Sequence, residues 1–268
     1  MKKKILPYIA ALGMAILLPQ VALAEDKDLA KELANPIADL INVQIEADYD
    51  HDIGDENGSQ WITNLEPTIP FSISENWNVI SRTSLPIITQ DDISSDGAEE
   101  YGIGDIFQHL FISPKKPITS HGLIWGAGPV LLLNTASNDA LGANKWGAGP
   151  GAAALIQKGP WTIGILTSHI WSFAGNNSST NVSMTSMEPG IAYVTQSETT
   201  FTLNTESTYD WKAKSWSVPI IFKVEQLLKV GGQIIQVGGG LRYWAASPDS
   251  GPEGLGARLS IVFVFPAK

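Results

Sequence analysis

From Ile41 onward apolar and polar side chains alternate with a period of two: Ile41, Val43, Ile45, Ala47 and Tyr49 interleave with Asn42, Gln44, Glu46 and Asp48. Successive side chains of a strand point to opposite faces, so this segment predicts a strand with one apolar and one polar side. The same pattern recurs along the chain. Trp61, Thr63, Leu65, Pro67, Ile69, Phe71 and Ile73 alternate with Asn64, Glu66 and Thr68, and Trp77, Val79, Thr83, Leu85 and Ile87 with Asn78, Arg82 and Ser84. Phe201, Leu203, Tyr209 and Trp211 oppose Thr202, Asn204, Glu206, Thr208 and Asp210; Trp216, Val218, Ile220, Phe222 and Val224 oppose Ser217 and Lys223. Ile235, Val237, Leu241 and Tyr243 oppose Gln236, Gly238, Gly240 and Arg242, and Leu259, Ile261, Phe263 and Phe265 oppose Arg258 and Ser260. Residues 105–113, 123–137, 146–157, 160–174 and 184–196 are strand-like but glycine-rich or almost wholly apolar, which brings the expected total to about twelve.

The predicted connections alternate in length. Those at 74–76, 158–160, 197–199 and 231–232 are tight, whereas 50–59, 90–104, 137–145, 175–183 and 246–255 are long, polar and rich in Gly, Asp and Ser. An apolar face on every strand needs either lipid or a second sheet to cover it. Turns at one end, loops at the other and nine Trp mostly near strand ends favour lipid, with the Trp as interfacial girdles. The expectation is therefore an all-β chain: a transmembrane antiparallel β-barrel of about 12 strands over residues 41–268. A secreted β-sandwich with buried Trp is the soluble alternative.

Two N-terminal segments fall outside this pattern. Lys2, Lys3 and Lys4, the apolar run from Ile5 to Leu18 and the small residues ending at Ala24 predict a secretory signal peptide over residues 1–24, cleaved after Ala24. Residues 25–40 place Leu29, Leu33 and Ile37 four apart among charges, which predicts a short periplasmic amphipathic helix limited by Pro36. Cleavage leaves 14 basic side chains against 27 acidic ones, a net charge of −13. That charge argues against nucleic acid as a partner. The absence of cysteine removes disulfides, thiolate nucleophiles and Cys-based metal sites.

Several strings of the mature chain resemble a known family. Lys31-Glu32-Leu33-Ala34-Asn35-Pro36, Ser81-Arg82-Thr83, Ser113-Pro114-Lys115-Lys116, Lys145-Trp146-Gly147-Ala148-Gly149-Pro150, the segment from His169 to Gly175 and that from Leu203 to Trp211 are similar to the bacterial outer-membrane transporter family related to the meta-pathway of phenol degradation. Some of its members carry the label neuromedin U. The resemblance implies an outer-membrane barrel of a Gram-negative bacterium that moves small organic, including aromatic, molecules, with no catalytic residue. An outer-membrane barrel is expected to have outer-membrane lipid, lipopolysaccharide and the barrel-assembly machinery as partners. Phe265 is followed by Pro266-Ala267-Lys268, so that machinery is expected to read Phe263 and Phe265 from an internal position.

With the polar face as lumen, the inward charges are Glu46, Asp48, Glu66, Arg82, Glu188, Glu206, Asp210, Lys223, Arg242 and Arg258. Closure would bring the last strand beside Glu46, so acids and bases should meet around one wall. The candidate network is Glu46, Glu66, Arg82, Glu206, Lys223, Arg242 and Arg258, with Glu206 and Lys223 expected as an opposed pair on adjacent strands. It reads either as a charged constriction that selects permeants or as a salt-bridged plug that seals a structural barrel. Gly126, Gly128, Gly147, Gly149, Gly151 and Ala152–Ala154 are expected to leave room opposite the charged wall. Enzyme activity is not expected: Ser168 and His169 are adjacent on a strand and face opposite sides, and His51, His109, His121 and His169 lack metal spacing. No cofactor is called for. Asp50, Asp52, Asp55, Glu56, Asp91, Asp92, Asp96, Glu99 and Glu100 form an acidic loop cluster that could take divalent cations or remain solvated.

Overall fold

The computed structural model describes residues 26–93, 99–117 and 122–265. The predicted signal peptide, Asp96 and the three C-terminal residues lie outside the described residues. A helix, α1 (Asp26–Leu33), precedes twelve strands. These are β1 (Ile41–Ile53), β2 (Gly58–Ser72), β3 (Trp77–Asp91), β4 in two segments (Glu100–Ile103 and Ile106–Pro114), β5 (Leu123–Leu133), β6 (Lys145–Lys158), β7 (Trp161–Gly175), β8 (Ser183–Val194), β9 in two segments (Thr199–Thr205 and Ser207–Asp210), β10 (Ser215–Val230), β11 (Gln233–Ala246) and β12 (Gly254–Phe265). Each pairs antiparallel with its sequence neighbours, and β1 pairs with β12 from Ile41↔Phe265 to Tyr49↔Ala257, which closes the barrel. No helix among the described residues is long and apolar enough to cross a membrane.

The two faces follow the alternation. Outward positions expose Ile69, Phe71, Ile163, Ile165, Leu203, Phe222, Leu241 and Leu259, side chains that water would expel and hydrocarbon accepts. Trp61, Trp146, Trp171, Trp211 and Trp216 stand exposed at the loop end of their strands, and Trp77 and Trp161 at the turn end. Trp244 departs from the expected girdle. It lies on the inward face of β11, where its Nε1 donates to Asp50 Oδ1 at 2.8 Å and Arg242 stacks over its ring at 5.1 Å.

The turn between β10 and β11 is two glycines, Gly231 (φ 58°) and Gly232 (φ 92°), a left-handed pair that matches strand twist without a Cβ penalty. The β1–β2 connection is shorter than the predicted 50–59 loop, because Gly54 (φ 62°) and Asn57 (φ 54°) turn the chain within residues 54–57. Asp50 is consequently a strand residue, 3% exposed, rather than part of a loop cluster. Among the described residues no three His, Asp or Glu side chains converge to hold a metal ion.

The predicted helix is also shorter. It ends at Leu33; Asn35 Oδ1 accepts from Ile37 N at 3.0 Å in an Asx turn, and Pro36 disfavours helical backbone at Asn35. Leu29 and Leu33 pack with Ala30, Val194, Leu227 and Ile234 at the turn end of the lumen. Gln157 Nε2 donates to Lys31 O at 2.7 Å. Ile37 lies beyond the helix, inside the barrel, where it packs with Ile80, Phe111, Val130, Leu132, Ala153, Leu155, Leu166 and Ile170 from β3 to β7. A Cβ on Gly126 would come within 3.3 Å of Ile37 Cδ1. The small residues of this wall thus make room for the N-terminal segment and not only for open space.

Candidate functional site

The inward face splits by composition. The β3–β7 wall is the apolar cluster around Ile37, and the remaining wall is charged. Its centre is Arg258, 2% exposed. Its Nε and Nη2 donate to Asp48 Oδ1 and Oδ2 at 2.6 and 2.7 Å, Nη2 also reaches Glu206 Oε2 at 2.8 Å, and Nη1 reaches Glu206 Oε1. Glu46 Oε2 stands 3.3 Å from the same Nη1. One planar guanidinium therefore ties β12 to β1 and to β9, a geometry that a lysine could not reproduce.

Arg242 lies beside it, with Nη1 at 2.6 Å from Asp48 and 3.3 Å from Asp50. Lys223 Nζ donates to Glu46 Oε1 at 2.8 Å and lies 3.7 Å from Glu225, whose Oε1 also accepts from Ser260 Oγ at 2.7 Å. Lys223 sits on β10 and Glu46 on β1, with β11 and β12 between them. The contact across those strands depends on Gly238 and Gly240, which pair with Glu225 and Lys223; a Cβ at either would collide with the β10 backbone.

A second pair stands on β2 and β3, where Arg82 Nε and Nη2 donate to Glu66 Oε2 at 3.2 and 2.8 Å. Arg82 Nη1 is 4.0 Å from Glu188 on β8. Counted around the belt, seven carboxylates (Glu46, Asp48, Asp50, Glu66, Glu188, Glu206 and Glu225) face four bases (Arg82, Lys223, Arg242 and Arg258).

All seven residues read from the sequence thus face the lumen in two connected groups, but one expected pairing is absent. Glu206 and Lys223 do not bond each other. Thr202 is the partner opposite Lys223 in the ladder, and Glu206 binds Arg258 while Lys223 binds Glu46. The register of β9 and β10 sets Pro219 opposite Glu206; proline has no N–H to give the ladder, and β9 is interrupted at that residue. Asp50 and Glu225 belong to the belt and had a signal in the sequence, since each continues a period-two series, 46-48-50 and 223-225. Asp210 is not a partner here: its Oδ1 accepts from Lys212 N and Ala213 N in the β9–β10 turn.

The belt separates two cavities. The larger, about 900 Å³, opens at the loop end. The smaller, about 210 Å³, is floored by Leu33, Ala34, Asn35 and Pro36. Glu46, Arg82, Glu188 and Glu206 border both. The mouth of the larger cavity is shaped by the 134–144 loop, which Asp105 pins by accepting from Thr135 N (3.0 Å), Ala136 N (3.1 Å) and Ala143 N (2.7 Å). Ser168 lines this cavity, whereas His169 faces outward beside Trp171 and its Nδ1 meets Thr185 Oγ1 at 2.7 Å. Ser168 and His169 therefore do not meet.

No family model matches the chain, and no curated protein matches it. Solved structures do. The COG4313 outer membrane channel of Pseudomonas putida F1 superposes with a TM-score of 0.64 at 14% identity, covering 84% of this chain and 96% of that one. The outer membrane phospholipase dimer of Salmonella typhi (TM-score 0.48, 9% identity, 91% and 99% covered) and the β-domain of the Bordetella autotransporter BrkA (0.49, 10%, 85% and 100%) are more distant. The chain thus has the fold of an outer-membrane channel: a closed, antiparallel, twelve-stranded barrel.

Proposed function

We propose that the protein is a narrow outer-membrane channel for small organic molecules, with the charged belt as its selective constriction. The observation that carries this reading is that two cavities, one open at the loop end and one beneath the belt, meet at the side chains of Glu46, Arg82, Glu188 and Glu206. A solute passing along the barrel has to cross that ring. Fixed charges in a narrow lumen discriminate among solutes by sign and hydration. The link to phenol degradation, and aromatic molecules as permeants, belong to this reading on the strength of the sequence resemblance. So do the cleaved export signal, the lipid and lipopolysaccharide environment and assembly by the barrel-assembly machinery. The floor at Leu33–Pro36 favours the competing account, a structural barrel with a salt-bridged, sealed lumen.

Planar-bilayer recording of the purified barrel, with liposome uptake of phenols and small aromatic acids, decides between them. Discrete conductance and uptake are expected. An inert barrel in both assays would establish the sealed account.

A further inference from the structure

Glu188 is the belt carboxylate with the weakest compensation. Its Oε2 stands 4.0 Å from Arg82 Nη1, while the same guanidinium holds Glu66 at 2.8 Å. Among the described residues its Oε1 receives only Ser186 Oγ, at 3.5 Å. The side chain keeps 29% of its surface exposed and borders both cavities. A carboxylate so weakly paired at the edge of a cavity calls for a positively charged group beside it.

The surroundings define that group. Seven carboxylates against four bases leave the belt short of positive charge, and a carboxylate away from bulk water is costly until a cation neutralises it. No three ligands converge for a metal among the described residues, and a cavity of about 900 Å³ is of the size that takes an organic molecule. Toward the loop end the inward face of β8 continues from Glu188 into Met184, and Phe107 on β4 and Val182 just before β8 present half-buried apolar surface to the same cavity.

We propose that Glu188 is the docking carboxylate for an amphiphilic organic ammonium ion, with the ammonium at Glu188 and the hydrocarbon part along Met184, Val182 and Phe107. This rests on the reading of the lumen as a solute path, and it adds the class of solute. The attraction is Coulombic at the head and hydrophobic along the tail, so an anion with the same tail loses the first contribution and meets repulsion instead.

The test uses three probes with one tail, hexyltrimethylammonium, hexanesulfonate and hexanol, titrated by calorimetry into the full-length barrel in a nonionic detergent. The cation should bind about tenfold or more tighter than the anion, one such factor being 1.4 kcal/mol. Glu188→Gln, folded by heat-modifiable gel migration, should erase that preference while hexanol binding is unchanged. Equal affinities, anion preference, no binding, or an unaltered preference in Glu188→Gln would each overturn the assignment. Calorimetry is independent of conduction: a barrel that binds the cation through Glu188 yet carries no current would remove the channel reading alone. One that conducts without cation preference would remove this inference alone.

Discussion

Arg258 and Asp48 face each other directly across the seam between β12 and β1, with Nε and Nη2 of the one 2.6 and 2.7 Å from the two carboxylate oxygens of the other. They are 210 residues apart in the chain, and both are almost wholly buried. The first strand supplies the acid and the last supplies the base at the place where the sheet becomes a closed surface.

Removing the base from this pair should be severe. Arg258→Ala leaves Asp48 and Glu206 buried without their principal partner, and breaking a buried pair by deleting one member costs about 3–5 kcal/mol. Arg258→Lys keeps the charge but loses the planar fork, and should fall between wild type and alanine. Urea unfolding followed by tryptophan fluorescence gives the order; equal stability of all three forms would refute the seam as a stabilising element.

Arg82→Ala acts on a different group, Glu66 on neighbouring β2 and Glu188 across the lumen on β8. It raises the surplus of carboxylates by one. The reversal potential in a salt gradient should shift toward stronger cation preference, and a shift toward anions would show that the belt does not set selectivity.

Ile37 anchors the N-terminal segment inside the lumen and is 3% exposed. Ile37→Ala should weaken that anchoring by about 2–5 kcal/mol, the usual range for truncating a buried isoleucine. The floor of the smaller cavity should then loosen. Faster amide exchange over residues 34–40 together with larger conductance is the expected result; faster exchange with unchanged conductance would mean that the floor is not part of the path.

The helix before that anchor carries a pH response. Partial burial, then Asp28 and Asp39, push the Glu32 carboxyl above its ordinary value of 4.5. An acid with a raised value in the folded state favours that state when protonated, so seating of α1 should strengthen as pH falls toward the carboxylate range and weaken as it rises. Hydrogen exchange of α1 amides at acidic and neutral pH reads this directly. Glu32→Gln should flatten the dependence, and an equally steep dependence in that variant would assign it elsewhere.

The facing of the strands was legible in the sequence because lipid on one side and a charged lumen on the other impose a strict alternation, visible from Ile41 to Tyr49 and again from Arg258 to Phe265. Register was not. Whether Lys223 meets Glu206 or Glu46 depends on how strands slide past each other and on how far a side chain can reach over Gly238 and Gly240, and neither quantity is local. Asp50 was hidden for another reason: Asp, Gly and Asn around it resemble a loop composition, whereas Gly54 and Asn57 compress the turn and return Asp50 to the strand. Ile37 kept a helical spacing beyond the point where Asn35 and Pro36 end the helix, so its burial was signalled and its location was not.

The arrangement of charge along the chain bears on how the barrel is completed. Glu46, Asp48 and Asp50 come from β1, and the bases that neutralise them come from Lys223, Arg242 and Arg258 on the last three strands. Until those strands arrive, three carboxylates on the leading strand have no counter-charge and hold water along the open edge. Closure thus gives ion-pair partners to carboxylates that the open sheet would leave to water. A chain halted before Gly254 would lack Arg258 and keep an anionic cleft between its free edges; the finished wall and its counter-charges come into being together.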